Sequence, residues 1–136
     1  MPTMASLTVK KADNTTDIVY DALSASAGDG TPAYWRQDTG AAAGLPVGHR
    51  PVLKVTTTWN GPKSARQLKV NFNYPYATQD STTTLYSVKD RVVFDGIVTV
   101  PQAIPAAQIN EAVAQVMNLL ATTLIKQSGQ TGFAPT

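Results

Sequence analysis

Between Asp38 and Asp80 the chain has no acidic residue, and in that window lie Arg50, Lys54, Lys63, Arg66 and Lys69. Hydroxyl and amide side chains surround them: Thr56, Thr58, Gln67, Asn71 and Asn73. Lysine and arginine attract phosphate whatever the base sequence. Threonine, asparagine and glutamine can hydrogen-bond ribose or base edges. The chemistry on offer is nucleic-acid binding, and the plain alternative is an ordinary solvated sheet face. Spacing alone leaves both open.

No other constellation competes with it. The single histidine, His49, lies in a Gly/Pro loop beside Arg50. A hydrolase built on it would need a nucleophile and a carboxylate close by. The chain has no cysteine, so disulfides, zinc–thiolate sites and cysteine nucleophiles are excluded and the redox compartment is not legible. Asp13, Asp17 and Asp21 lack the Asp-x-Asp-x-Asp-Gly pattern of a calcium loop. Asp29, between Gly28 and Gly30, reads as a turn with no strand–loop–helix unit around it to cradle phosphate. There is no Gly-x-Ser-x-Gly elbow. The chain reads as a non-enzyme, with no metal and no cofactor.

The elements that must position the basic residues follow from periodicity. Leu7–Lys11 and Asp17–Ala22 read as a hairpin, and Ala33–Asp38 as a short aromatic strand with Tyr34 and Trp35. Val52–Trp59 is dense in β-branched residues. Its alternation puts Leu53, Val55, Thr57 and Trp59 on one face and Lys54, Thr56 and Thr58 on the other. Asn60-Gly61-Pro62 signals a turn. Arg66–Tyr74 alternates more cleanly, with Leu68, Val70, Phe72 and Tyr74 against Gln67, Lys69, Asn71 and Asn73. That is the pattern of a half-buried antiparallel strand. Pro75–Thr84 reads as a polar loop. Tyr86–Val100 reads as a long strand with Val92, Phe94, Val98 and Val100 on one face. Arg91, Val93, Asp95, Ile97 and Thr99 take the other. Gly96 suggests a bulge or a close neighbour. Trp59, Phe72, Tyr74 and Phe94 fall on apolar faces and read as core. Ser24–Pro32 and Thr39–His49 read as loops, the second as mobile.

Pro101 and Pro105 end the sheet, and Pro105 suits a helix's first turn. From Ala106 to Lys126, Ile109, Val113, Val116, Met117, Leu120 and Leu124 form one apolar stripe. Gly129 reads as its stop, and Gln130–Thr136 as a loose tail. The fold class is α+β: an N-terminal β-hairpin, an antiparallel sheet of about five strands, and a C-terminal amphipathic helix or two. The 136 residues are read as a single domain, with the β part over about 7–100 and the helical tail over about 105–127. Only 15% of residues are charged, against a typical ~25%, which suggests a surface covered by copies of itself. One helix cannot close over so wide a sheet. Two subunits covering each other would solve this, with Ile109, Val113, Met117 and Leu120 at the dimer interface. No segment approaches the ~18 apolar residues of a membrane span, and Met1–Lys11 lacks a signal-peptide core. The reading is a protein made in the cytoplasm, with no membrane partner.

Certain residues and their order carry a resemblance. Ala33-Tyr34-Trp35-Arg36 is followed by Lys54-Val55-Thr56, Lys69-Val70 and Ala77-Thr78-Gln79. Then come Val98-Thr99-Val100-Pro101 and the amphipathic helix. Over nearly its whole length this resembles the coat proteins of small single-stranded RNA bacteriophages of the levivirus type, as a divergent member. The resemblance rests on element order and spacing rather than on any short motif. It implies a homodimer with a continuous antiparallel sheet and interlocking helices, assembled into an icosahedral shell. It implies that the inner sheet face binds single-stranded genomic RNA and can repress replicase translation through a stem-loop. A maturation protein would share the virion, made in a bacterial host. The RNA-facing residues would be Lys54, Thr56, Thr58, Arg66, Gln67, Lys69, Asn71 and Asp95. Thr78, Gln79, Asp80, Ser81 and Thr82 would make inter-subunit contacts at the vertices. Two departures stand out. Val93 and Asp95 fall where relatives carry a base-stacking Tyr and an Asn. Asn118–Gln127 lacks the Gly/Pro break seen in relatives, which predicts one long helix or a soft kink near Thr122-Thr123. A dimeric RNA-binding module that builds no shell would carry the same basic sheet.

Overall fold

The computed structural model describes every residue, Met1–Thr136. The chain divides into two compact units, Met1–Thr99 and Val100–Thr136. The first unit is built on a six-stranded meander. Its strands are β1 (Leu7–Lys10), β2 (Asp17–Ser24), β3 (Ala33–Arg36), β4 (Val52–Trp59), β5 (Ala65–Gln79) and β6 (Tyr86–Pro101). They lie in the sheet in chain order, and the N-terminal hairpin supplies its first two strands.

Register explains why the sheet has two chemically distinct faces. In β4 and β5, Leu53 lies opposite Phe72, Val55 opposite Val70 and Thr57 opposite Leu68. Directly opposed residues share a face, so these pairs make an apolar surface. It extends through Trp35, opposite Leu53, and through Tyr20, whose ring meets Phe72 edge-on at 6.0 Å. The alternate residues make the polar surface. There Lys54 lies opposite Asn71, Thr56 opposite Lys69 and Thr58 opposite Gln67.

The turn between β4 and β5 is held by Asn60. Its Oδ1 accepts from the Ser64 and Ala65 amides at 2.8 and 3.1 Å. Lys63 takes a left-handed φ of 56° there. Beyond Tyr74 the structure differs from expectation. Pro75 does not open a loop, because β5 continues to Gln79. The β4 pairing ends at Asn73 opposite Val52. Pro75 therefore sits where no β4 neighbour asks for its missing N–H, a position proline tolerates. The connection to β6 shrinks to a tight turn. The Asp80 amide donates to the Leu85 carbonyl at 2.9 Å, and Asp80 Oδ1 accepts from the Thr82 and Thr83 amides at 2.7 and 2.9 Å.

The Thr39–His49 segment, expected as a loop, contains two 3₁₀ turns, Gly40–Gly44 and Val47–His49. Arg50 organises it. Its guanidinium donates to the Leu45 carbonyl at 3.0 Å, the Ala43 carbonyl at 3.1 Å and Asp38 Oδ1 at 2.9 Å. Asp38 also accepts two hydrogen bonds from Arg36, at 2.6 and 3.0 Å. One carboxylate thus ties the end of β3 to the loop.

The second unit holds α1 (Ala106–Leu120) and α2 (Thr123–Thr131). The helix breaks close to the expected kink, and breaks fully. Thr122 is extended, with ψ of 151°, and its hydroxyl donates to the Leu119 carbonyl at 2.7 Å. A side chain that satisfies a helix carbonyl offers the backbone an alternative to continuing the ladder. The stop is Gly132 rather than Gly129. Gly132 adopts φ of 79°, the left-handed cap that glycine permits, while Gly129 sits inside α2.

Little of the chain is buried. The buried apolar residues are Ala42 and Ala65, and no large side chain is fully enclosed. Trp59, Tyr74 and Phe94, expected in a core, are all exposed, as is Val92. Phe94 lies over the position a Gly96 Cβ would take, at 3.0 Å, so Gly96 does have the close neighbour its place in the strand suggests.

The Asp38 junction yields a stability prediction. The hydrogen bond from Arg36, followed by that from Arg50, holds the Asp38 carboxyl below the usual carboxylate range. A depressed folded value means its contribution is complete above the unfolded value of about 4. That contribution is lost as pH falls through the folded value. Asp38→Asn should destabilise the fold by about 1–3 kcal/mol at neutral pH in urea denaturation. The gap between the two proteins should narrow under acid.

Candidate nucleic-acid interface

The polar face of β4 and β5 brings most of the predicted residues together. Lys54, Thr56, Lys69 and Asn71 line one open hollow of about 300 Å³ with Val70 and, from β6, Asp95, Gly96 and Ile97. The Asn71 amide donates to Asp95, which places the β6 carboxylate on the same face. Thr58 and Gln67 form the next opposed pair toward the turn. Lys54 and Lys69 make no ion pair within the chain, whose salt bridges involve Lys10, Arg36, Arg50 and Arg66. Two ammonium groups without an ion-pair partner thus sit on adjacent strands amid hydroxyls and amides, with the single Asp95 carboxylate on the same face. Such a surface suits a polyanion that also offers hydrogen-bonding groups.

Arg66 does not join them. The register sets it opposite Trp59, on the apolar face, because it is an even step from Leu68 and Val70. There its guanidinium lies 4.8 Å from the Trp59 ring centroid. It also makes a two-pronged pair with Asp29 at 2.7 and 2.6 Å. The fork geometry of arginine fits a carboxylate in this way. The hydrogen bond from Arg66 in turn lowers the Asp29 pKa. Arg50 is likewise committed to its own loop. Of the five cations in the acid-free window, Lys54 and Lys69 face the hollow, Lys63 stands on the turn, and the two arginines are paired internally.

Sequence reasoning missed one residue of this face. Tyr34 lies opposite Lys54, and Lys54 Nζ sits 5.3 Å from its ring centroid. The signal was the alternation of Ala33-Tyr34-Trp35-Arg36, in which Tyr34 and Arg36 take one side and Ala33 and Trp35 the other.

The residues expected at inter-subunit contacts form a small cluster. Thr78 and Gln79 end β5, while Asp80, Ser81 and Thr82 form the turn. The Gln79 amide donates to the Thr84 carbonyl at 3.0 Å, closing the turn on itself. The predicted interface residues of α1 divide by exposure. Ile109 and Val113 are half-buried, and Met117 and Leu120 are exposed.

If the hollow meets phosphate, Lys54→Ala combined with Lys69→Ala should flatten the dependence of log K on log salt for single-stranded RNA by about 1.4. Arg66→Ala should leave that slope nearly unchanged. Fluorescence anisotropy across a salt series reads both.

No family model matches the sequence, and no curated protein matches it. Solved structures do. A virus-like particle of bacteriophage NT-214 aligns with a TM-score of 0.80 at 13% identity, over 99% of this chain and 100% of that one. A virus-like particle of Beihai levi-like virus 21 aligns with a TM-score of 0.77 at 12% identity, over 99% and 98%. The capsid protein of bacteriophage GA aligns with a TM-score of 0.72 at 10% identity, over 96% and 95%. Along nearly its entire length, this chain has the fold of the coat proteins of levi-like bacteriophages.

Proposed function

We propose that this chain is a structural virion protein, the coat protein of a small single-stranded RNA phage. It dimerises, assembles into a closed icosahedral shell and packages RNA against the polar face of its sheet. The observation that carries the self-assembly is the unfinished sheet. β1 ends one side with only 4 residues, while β6 ends the other with 16. A long, exposed edge strand offers a row of unpaired N–H and C=O groups, and a second copy of the same strand would satisfy them. The apolar side chains support this reading. Val92, Phe94, Val116, Met117, Leu119 and Leu120 are all more than 40% exposed. Each such side chain contributes about 1.5–3 kcal/mol when fully buried. Association costs on the order of 4–15 kcal/mol. The stripe of α1 alone barely meets that cost, so edge pairing and helix burial must act together.

RNA would be held mainly by neutralisation of Lys54, Lys69 and Lys63, repeated over many subunits. Linking many weak contacts raises the combined affinity without any new interaction. Repression of replicase translation through a stem-loop would need base contacts, and Thr56, Thr58, Gln67, Asn71 and Asp95 are the candidates. Thr78, Gln79, Asp80, Ser81 and Thr82 would pack against equivalent turns of neighbouring dimers. A maturation protein would complete the virion.

The test is negative-stain electron microscopy of the protein expressed in bacteria, with absorbance at 260 and 280 nm on the same fraction. Uniform closed shells rich in nucleic acid are expected. A clean dimer without shells, across salt and RNA conditions, would overturn the coat reading in favour of a binding module. Met117→Asp with Leu120→Asp should leave the chain unable to dimerise, read by sedimentation velocity.

A further inference from the structure

We propose that Tyr34 is a stacking platform for an unpaired RNA base, an inference that rests on reading the polar face as the RNA surface. Along the paired lengths of β3, β4 and β5, Tyr34 is the one aromatic side chain on that face. Trp35 and Phe72 belong to the opposite face, and Trp59 is engaged by Arg66. In β6 the side chains nearest Asp95 on this face are Val93 and Ile97, neither of which can stack.

The surroundings of the ring suit a base. On one side Tyr34 faces Ser24, a small residue at an irregularity in the β2–β3 pairing. On the other it faces Lys54, whose ammonium rests over the ring. Every base has a π-face, so a flat ring beside a cation accepts nucleotides with little sequence preference. Lysine's flexible stem lets the ammonium move from the ring to a phosphate as the base takes its place. One strand spacing of about 4.8 Å separates Tyr34 from Lys54, and another separates Lys54 from Asn71 in the hollow. A nucleotide stacked on Tyr34 would therefore place its phosphate at Lys54 and lead the strand toward Lys69.

The experiment compares wild type, Tyr34→Ala, Tyr34→Phe, Lys54→Ala and the Lys54→Ala/Lys69→Ala pair as full-length protein freed of packaged RNA and held unassembled, so that the sheet face is open to the probe. The probes are a short fluorescent single-stranded RNA of mixed sequence and inorganic polyphosphate, a polyanion without bases. Tyr34→Ala should bind the RNA about fivefold or more weakly, with polyphosphate affinity and salt slope unchanged. Tyr34→Phe should match wild type. Lys54→Ala should weaken both probes. If Tyr34→Ala binds RNA like wild type while Lys54→Ala does not, stacking is refuted and the RNA face stands. If the double lysine variant also binds like wild type, the RNA face itself is refuted. Should Tyr34→Ala fail to fold, photocrosslinking of 5-iodouridine RNA to the wild-type protein decides. An adduct on Tyr34 supports the platform, and its absence there overturns it.

Discussion

The pairing of β4 with β5 is the constraint on which the rest of the molecule depends. Its register runs unbroken from Val52 opposite Asn73 to Trp59 opposite Arg66. Side chains alternate with a period of two, so a slip of one residue would reverse every face. Lys54 and Lys69 would then lose their shared surface, and Val55 and Val70 would meet water. Three features oppose the slip: the apolar pairs themselves, the Asn60 turn, and the pair of Arg66 with Asp29. Arg66 is thus a register device. It clamps the Ser24–Pro32 segment against the turn end of the ribbon, where the Gly30 amide also reaches the Thr57 carbonyl at 2.9 Å.

The cations divide by chemistry. Both arginines of the basic window have structural roles, and the lysines are left free. Arginine offers several donors in a rigid plane, which suits the simultaneous binding of two carbonyls and a carboxylate by Arg50. Lysine is a compact charge on a flexible stem, which suits a mobile polyanion. Arg36 follows the same pattern, joined with Arg50 on one Asp38 carboxylate. The structure thereby separates charge that holds the fold from charge that remains available on the surface.

A sheet with a long free edge and many exposed apolar side chains is a poor endpoint for a single chain. Small domains need most of their apolar surface removed from water to offset conformational entropy. Here the buried apolar residues are two alanines. The same exposure leaves apolar surface and strand edge available for association. The polar turn at Asp80–Leu85 is stabilised internally by its own hydrogen bonds. It therefore holds a defined shape by itself.

The sequence by itself determined the strands, their two faces and the helical stripe. These depend on local periodicity, which Val52–Trp59 and Arg66–Tyr74 display without interruption. It also located the basic window and, as one of two alternatives beside an unbroken helix, marked Thr122-Thr123 as the place for a kink, since Thr122 acts on its own neighbours. The element order was distinctive enough to suggest the levivirus coat fold despite identities of 10–13% to the solved structures described above. Only the tertiary structure decided which cations are free. Asp29 and Arg66 are 37 residues apart, and nothing in local spacing signals that they meet. The same holds for Arg50, whose hydrogen bonds to Asp38, Ala43 and Leu45 have no signature in the composition of their loop. It holds for Pro75, tolerated inside a strand only because the neighbouring strand has already ended. And it holds for Tyr34, whose place beside Lys54 is set by pairing across the 20 residues that separate them. Period and propensity act over a few residues and can be read along the chain. Charge neutralisation and strand termination depend on which distant segments are brought side by side.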